Sequence, residues 1–257
     1  MSRISVVTGA ASGIGQALAE LLRSRGERVI GVDLHDADVI ADLSTEEGLA
    51  GMVDAVRQAS GGVVDAVFAI AGLVADKPVT VDVNFFGMVG TLNGLRPLLA
   101  QSTAPRAVGT ASIASLQATD DGLVAAMTSG DRATARSRAA EVAGDGLIYG
   151  STKKAFAQWI RRTAPTADWA GTSIPLNAVA PGVVNTPMVA SVAATMSEEE
   201  SRKSWEATPL PLNGVAEPIV LAEVFAWLGS PANTHMCGQV VFADSGYDAV
   251  VRGDSVW

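Results

Sequence analysis

The stretch Ile4-Ser5-Val6-Val7-Thr8-Gly9-Ala10-Ala11-Ser12-Gly13-Ile14-Gly15 decides the fold of this chain. Its β-branched first half predicts a buried strand, its glycines predict a sharp turn, and an apolar pattern at helical spacing follows directly. This order is typical of the first βα unit of a dinucleotide-binding fold, although the spacing Gly-x3-Gly-x-Gly differs from the commoner Gly-x-Gly-x2-Gly. The alternative for this stretch alone is an ordinary strand-to-helix turn.

Each glycine would have a separate task at such a site. Gly9 permits the tight turn, Gly13 lets the backbone approach a pyrophosphate, and Gly15 lets the helix pack on the sheet. The N-terminus of a helix attracts phosphate, so we expect Ser12 and Ile14 to join the cofactor-binding set.

The length fits one large α/β domain spanning residues 1–257, and the composition, with 48% hydrophobic and 18% charged residues, is that of a globular protein. No apolar run approaches the roughly 18 residues that span a bilayer, which argues against a membrane partner. Strand-like residues begin at Arg3 or Ile4 and leave no room for a secretion signal, so we expect a cytoplasmic protein.

Charge and cysteine usage argue against two further classes of function. A net charge of −9 is unfavourable for nucleic-acid binding, because nucleic-acid phosphates require a basic face. One cysteine, Cys237, and two histidines, His35 and His235, are too few for a metal site rich in these ligands. We therefore expect no metal, and we expect Cys237 to be a small buried residue.

An acidic residue ends the second predicted strand, residues 28–32. Asp33 lies 18 positions after Gly15, where a carboxylate can accept hydrogen bonds from the adenosine ribose and repel a 2′-phosphate. No Arg or Lys occurs at 34–36, so the pattern predicts NAD rather than NADP. The alternative for Asp33 alone is a turn residue, which is common after strands.

Strands and helices continue to alternate, which predicts a Rossmann-like, doubly wound parallel sheet flanked by helices, with ligands beyond the carboxyl ends of its strands. Ser44 and Glu47 would form a capping box for a helix that runs through Gln58. The helical pattern over 79–99 is interrupted by Asn84. The other predicted strands are 63–70, 106–111, 174–179, which begins beside Pro175, and 239–243.

Tyr149 and Lys153 are four positions apart and therefore share one face of the helix that they open. An ammonium beside a phenol favours the phenolate, so Tyr149 can act as an acid or a base. The alternative for an isolated pair of this kind is a core tyrosine with a surface lysine.

These features together resemble the short-chain dehydrogenase/reductase family, over nearly the whole chain. No single motif is decisive, and the specificity lies in the complete set in this order. The set comprises Thr8-Gly9-x3-Gly13-x-Gly15, Asp33, Asp42-Leu43, Asn84, Ser112, Tyr149-x3-Lys153, Asn177-x2-Ala180-Pro181-Gly182 and Thr186. The resemblance implies an oxidoreductase that transfers a hydride between NAD(H) and a secondary alcohol or ketone.

The resemblance also implies a role for each reactive residue. Ser112 would donate a hydrogen bond to the substrate oxygen, and Tyr149 would be the acid or base. Lys153 would also hold the nicotinamide ribose, and Asn84 would support a proton-relay water. Ser115 is a rival for Ser112, but the family's serine directly precedes a small apolar pair, as Ser112 does.

Further cofactor contacts are implied along the chain, and Thr186 among them would bind the nicotinamide carboxamide. Two positions depart from the family pattern: Ile70 replaces an asparagine, and Asp244-Ser245-Gly246 replaces Asp-Gly-Gly. These departures are expected to weaken adenosine-side and C-terminal contacts. The other implied cofactor residues are Leu34, Asp42, Leu43, Ala71, Gly72, Pro181, Gly182 and Val184.

The substrate is less clearly specified. Residues 36–45, the stretch before Tyr149 and the tail 247–250 resemble the bacterial hydroxysteroid dehydrogenase/carbonyl reductase branch of the family, which implies a cyclic apolar alcohol or ketone. Residues 187–215 would form a substrate-covering loop and helices, with Met188 and Trp205 at the substrate. The alternative is a helical pair that packs on its own sheet.

Two other functions stay open on the sequence. The domain could sense the NAD redox state or serve as a scaffold without turnover, since fold alone does not determine function. A pure sensor would not need Ser112, Tyr149 and Lys153 together. Another nucleotide-using enzyme, such as a methyltransferase, would leave the Tyr149-Lys153 pair unexplained.

The separation of 37 positions between Ser112 and Tyr149 predicts an insertion at 117–146, with two short helices. Such an insertion would either obstruct a subunit contact beside the Tyr149 helix or cover the site as a lid. We therefore expect a twofold dimer, rather than a tetramer, built from the last helix and strand with Phe225 and Trp227 as anchors.

Overall fold

The computed structural model describes residues 2–256, so the two end positions of the predicted 1–257 domain lie outside the described residues. The core is a single sheet of seven strands, all parallel, in the order β3-β2-β1-β4-β5-β6-β7. The strands are β1 Ile4–Thr8, β2 Arg28–Asp33, β3 Val39–Ile40, β4 Ala66–Ala69, β5 Arg106–Thr110, β6 Leu176–Pro181 and β7 Val240–Ala243. The predicted fold class is confirmed.

Helices cover both faces of the sheet, which explains why its central strands are buried along almost their whole length. One face packs on the first and tenth helices, and the other packs on the second, fourth and seventh. The helices are α1 Gly13–Ser24, α2 Glu46–Ser60, α3 Val79–Val81, α4 Met88–Leu99, α5 Asp121–Thr128, α6 Arg132–Glu141, α7 Ile148–Thr163, α8 Pro187–Ala193, α9 Glu198–Glu206, α10 Pro218–Leu228 and α11 Tyr247–Arg252. None of those helices is both long enough and apolar enough to cross a bilayer.

A single π turn, Asp82–Gly87, joins α3 to α4 without a break in the helix. The predicted interruption at Asn84 falls inside this turn. Turns of this kind are rare in proteins and are frequent at functional sites.

The insertion contains α5 and α6, as the sequence predicts; α5 packs on α7, and α6 packs on α5 and on the α3–π-turn segment. Leu123 and Met127 of α5 are fully buried and belong to the same core cluster as Ile148 of α7. The insertion is therefore an integral layer of the fold.

Two local predictions are wrong. Thr45, not Ser44, caps α2, because its hydroxyl accepts the Gly48 N–H at 2.9 Å while the Ser44 N–H is bound by the Asp42 carboxylate. The third predicted strand, 63–70, shortens to β4, because the Val64 N–H bonds to the Leu98 carbonyl at the end of α4 instead of to a strand.

Two burial predictions also need correction. Cys237 is only half-buried, with its thiol 3.3 Å from the Ala164 carbonyl. Phe225 points into the core, fully buried, whereas Trp227 on the opposite side of α10 is 51% exposed. Strand β6 begins directly after Pro175, as predicted, and the Pro175 carbonyl still accepts the Ala107 N–H at 3.0 Å.

Candidate active site

Four strand ends meet at the carboxyl edge of the sheet, on either side of the point where the strand order reverses between β1 and β4. The Thr8 hydroxyl accepts the N–H groups of Ile70 and Ala71, both at 3.0 Å, and so fixes the end of β4 against β1. The Thr110 hydroxyl donates to the Ala69 carbonyl at 3.0 Å and fixes the end of β5 in the same way.

The glycine-rich turn forms one wall of this edge. Gly9 and Gly13 have φ values of +71° and +55°, which favour glycine. A Cβ on Gly15 would lie 2.1 Å from the Gly9 carbonyl oxygen, so only glycine fits there. The turn therefore presents bare backbone and the start of α1 to the space above the sheet.

A cleft of about 800 Å³, here called the glycine cleft, opens above this turn. It contains most of the residues predicted to bind the cofactor, and Lys153 is the one charged residue among the described residues that line it. The predicted residues in its lining are Gly9, Ser12, Gly13, Ile14, Gly15, Ala71, Gly72, Ser112, Tyr149, Lys153, Pro181, Gly182, Val184, Thr186 and Met188.

Four of the predicted cofactor residues lie outside this lining. The Asp33 carboxylate accepts the Ala11 N–H at 3.0 Å and the Leu34 N–H at 2.7 Å, which places it beside the glycine-rich turn. The Leu34 side chain is exposed. Asp42 is exposed, and hydrogen bonds from Ser44 lower its pKa. The Leu43 side chain is buried in the core, so a cofactor contact there could use only its backbone.

A second space, here called the apolar cavity, adjoins the glycine cleft; it is open to solvent on one side and offers about 990 Å³ of empty space. Ser112 and Tyr149 line both spaces, whereas Ser115 lines neither. The Ser115 hydroxyl instead donates to the Ser112 carbonyl at 2.7 Å. The geometry thus brings the Ser112 hydroxyl and the Tyr149 phenol to the boundary where the two spaces meet.

Burial acts on the two ionisable groups at this boundary in opposite directions. Burial raises the pKa of the Tyr149 phenol, although the nearby Ser112 hydroxyl opposes the rise. Burial lowers the pKa of Lys153 to about 8. The Lys153 ammonium donates to the Thr110 carbonyl at 2.9 Å and lies 5.6 Å from the centre of the Tyr149 ring. Burial thus favours the protonated form of the phenol.

Asn84 lies behind the cleft, fully buried. Its amide exchanges two hydrogen bonds with the backbone of Leu73, at 2.9 and 2.8 Å, and lies 3.4 Å from the Thr152 hydroxyl. Because Leu73 lines the glycine cleft and Thr152 precedes Lys153, Asn84 connects the cleft wall to the helix that carries the reactive pair.

The apolar cavity is formed largely by α8 and α9, within the predicted covering segment 187–215, and both Met188 and Trp205 line it. None of the described residues that line it carries a charge. Of the insertion, only Gln117 reaches it among the described residues, so the lid expected as one role of 117–146 is not formed.

Sequence reasoning missed a polar strip on the wall of this cavity. Ser201, Ser204 and Thr208 line it together with Trp205. Their positions follow the i, i+3, i+4, i+7 spacing of one helical face, and this signal could have identified them. Ile70, flagged only as a departure, lines the glycine cleft.

The second departure from the family pattern, Asp244-Ser245-Gly246, forms hydrogen bonds through both of its polar side chains. Ser245 adopts φ +58°, and its hydroxyl donates to the Gly214 carbonyl at 2.7 Å. The Asp244 carboxylate accepts the N–H groups of Gly246 and Asp248 at 3.0 and 2.7 Å. The C-terminal turn is thus tied to the segment that covers the apolar cavity.

Several known proteins are similar to this chain. The family model described as enoyl-(acyl carrier protein) reductase matches residues 9–248. The 3-alpha-hydroxysteroid dehydrogenase/carbonyl reductase of Comamonas testosteroni is 34% identical over 97% of this chain and 98% of its own. The cis-4-hydroxycyclohexanecarboxylate dehydrogenase of Sinomonas cyclohexanicum is 29% identical over 96% and 97%. The crystal structure of the 3-alpha-hydroxysteroid dehydrogenase from Pseudomonas sp. B-0831 complexed with NADH gives a TM-score of 0.90 at 37% identity, covering 98% of this chain and 99% of that one.

Proposed function

The chain belongs to the short-chain dehydrogenase/reductase family and is an oxidoreductase, and on that premise we propose that it interconverts a secondary alcohol and a ketone with NAD(H). The observation that carries the proposal is the position of Ser112 and Tyr149 at the boundary between the glycine cleft and the apolar cavity. A substrate oxygen at that boundary can meet both hydroxyl groups at once.

The glycine cleft fits a nicotinamide dinucleotide. Gly9, Gly13 and Gly15 leave part of its wall as bare main chain, and the α1 N-terminus favours phosphate. Lys153 offers a buried ammonium with N–H groups beyond the one that Thr110 accepts. Thr186 lies beside Gly13 and also lines this cleft. When bound, the cofactor supplies or accepts the hydride.

The proton chemistry falls to Tyr149. In the reducing direction the phenol gives its proton to the carbonyl oxygen as the alcohol forms, and in the oxidising direction the phenolate takes that proton back. The raised pKa of Tyr149 favours the proton-donor state at neutral pH. Ser112 donates a hydrogen bond to the same oxygen, and the Lys153 charge stabilises the phenolate left behind.

The lining of the apolar cavity supports a neutral, largely apolar substrate. A substrate carboxylate would lose its water without gaining a cationic partner there, which is unfavourable. The strip of Ser201, Ser204 and Thr208 can hydrogen-bond a hydroxyl or keto group remote from the reacting carbon. We therefore favour a cyclic ketone of steroid, monoterpenoid or aryl type. We also propose that the protein works in the cytoplasm.

The test is a panel of ketones with NADH, assayed for loss of reduced-cofactor absorbance with wild type and Tyr149→Phe. We expect neutral cyclic ketones to be reduced and their carboxylated analogues to be poor substrates. Tyr149→Phe should lower kcat by about 10²-fold or more while NADH binding, measured by calorimetry, persists. An inactive wild type that binds NADH would favour the sensor or scaffold function, and a fully active Tyr149→Phe enzyme would reassign the proton transfer.

A further inference from the structure

Asp82, the first residue of the π turn, has a carboxylate that is almost completely buried, with 2% of the side chain exposed. Two arginines of α6 neutralise it. The Arg132 Nε lies 2.9 Å from one carboxylate oxygen, and the Arg136 Nη1 pairs with the other. A buried carboxylate without such partners would be strongly unfavourable, so the three side chains form one unit, here called the Asp82 clamp.

The clamp reaches the glycine cleft through Asn84. Asp82 and Asn84 occupy the same π turn, two positions apart, and Asn84 binds the backbone of Leu73 in the cleft wall. A shift of the turn would therefore move the Asn84 amide, the cleft wall at Leu73 and the contact with Thr152 together.

Arg132 has a second attachment. Its Nη2 donates to the Ser44 carbonyl, and its guanidinium lies 5.3 Å from the centre of the Phe86 ring. Ser44 follows Asp42 and Leu43, two of the residues predicted to contact the cofactor. The planar guanidinium satisfies a carboxylate and a carbonyl at once, which the single ammonium of a lysine does less well.

We propose that Arg132 and Arg136, although they lie in the insertion, are positioning residues of the active site. Arg136 holds Asp82 and so fixes the π turn that presents Asn84, and Arg132 does the same while it also fixes the Asp42–Ser44 turn. This proposal rests on the proposed function. It gives the insertion a role in catalysis, although only Gln117 of the insertion reaches the substrate cavity among the described residues.

The two arginines should have separable effects on the kinetics. Arg136→Met should lower kcat about tenfold with little change in KM for NADH, since displacement of active-site groups from a distance can cost up to about 10²-fold. Arg136→Lys should recover most of this loss, because an ammonium still pairs with the carboxylate. Arg132→Lys should keep kcat but raise KM for NADH several-fold, because the Ser44 bond is lost.

The matched control is Arg57→Met, which removes an arginine from an exposed ion pair with Asp54 on α2. Circular dichroism at the assay temperature would establish the folded fraction of every variant. Hydrogen exchange across Asp82–Gly87 and Leu73, followed by mass spectrometry, should rise in Arg136→Met and not in the control. Asp82→Asn keeps the shape of the side chain and supplies a second test if Arg136→Met does not fold.

The outcomes separate the two proposals. An inactive wild type would overturn the proposed function, while the exchange measurement would still test the clamp. Wild-type activity with a folded Arg136→Met whose kcat, KM and exchange match the control would overturn the clamp. Loss of stability without loss of kcat per folded molecule would reduce the two arginines to a structural role and also overturn it.

Discussion

Lys153 places an amine where it is 3% exposed and where the Thr110 carbonyl is the hydrogen-bond acceptor that the described residues provide. Burial without a carboxylate partner disfavours the charged form, so its pKa falls to about 8. The charged form dominates below that pH and is lost above it. An enzyme that uses this charge to hold a cofactor therefore works close to the upper limit of its useful pH range.

The lowered pKa of Lys153 predicts how the kinetics depend on pH. We expect kcat/KM for NADH to be steady below pH about 8 and to decline as the pH rises through that value, because free enzyme with neutral Lys153 loses its hold on the cofactor. Steady-state assays at each pH, with circular dichroism to exclude unfolding, would measure this. A flat profile through pH 8 would mean that the Lys153 charge is not required.

Asp33 gives a second expectation at the same scale. Its charge should make kcat/KM for NADH exceed that for NADPH more than about tenfold, or about 1.4 kcal/mol. Arg23, the basic residue that pairs with Asp38 at 3.4 Å, is exposed, and that pair is weak. Asp33→Asn keeps an acceptor for the Ala11 N–H and should narrow the ratio.

The control for Asp33→Asn is Asp54→Asn on α2, which removes the same charge from a remote exposed position. Both variants would be assayed with both cofactors. Equal or better use of NADPH by wild type would contradict the proposed preference, and an equal change in the control would assign the effect to net charge.

The insertion helices α5 and α6 limit which surfaces of α7, the helix that carries Tyr149, can contact another subunit. Replacing 118–146 with a short linker removes the arginines and also the cover of Asp82, so that carboxylate gains water instead of staying buried. The same change uncovers the apolar side of α7 that α5 protects. We expect the shortened protein to self-associate beyond the wild-type state, as measured by light scattering. A shortened protein with the same number of subunits as wild type would show that the insertion obstructs no subunit contact.

The elements also show which features a sequence can predict. The apolar periodicity of β1 and α1 is local, so it was sufficient to predict both elements, and the polar Asn84 marked an interruption in the next helical pattern. The order of the motifs along the chain identified the fold, and most of the residues predicted to bind the cofactor line the glycine cleft. The Asp82 clamp joins residues 50 and 54 positions apart, and no local pattern signals that pairing. Thr45, not Ser44, caps α2, and the Ser44 N–H is bound by the Asp42 carboxylate in the turn before the helix.

An exposed apolar surface of α10 bears on how copies of the protein assemble. Ile219, Val220 and Trp227 of α10 are about half exposed, with relative exposures of 47%, 53% and 51%, and β7 is an edge strand of the sheet. Such an apolar strip is suited to a self-complementary contact. The proposed twofold dimer therefore uses Trp227 as its anchor, and Phe225, which supports the core, has no part in it.

The dimer is tested by Trp227→Glu, which places a charge in the proposed contact while leaving the buried face of α10 unchanged. We expect the variant to be monomeric by sedimentation where wild type is dimeric. Val63→Glu, at a partly exposed apolar position in the segment before β4, is the control. A dimer that survives Trp227→Glu, or a monomeric wild type, would contradict this arrangement.

The position of Trp205 has an optical consequence. Its indole is half exposed at the wall of the apolar cavity. Trp169 is buried, Trp159 stacks on Phe156, and the half-exposed Trp227 does not line the cavity. An indole that exchanges water for an apolar ligand emits at shorter wavelength, so occupancy of the cavity should shift the intrinsic fluorescence of the protein. The chain thus carries its own reporter of substrate entry, which needs no turnover and no added label.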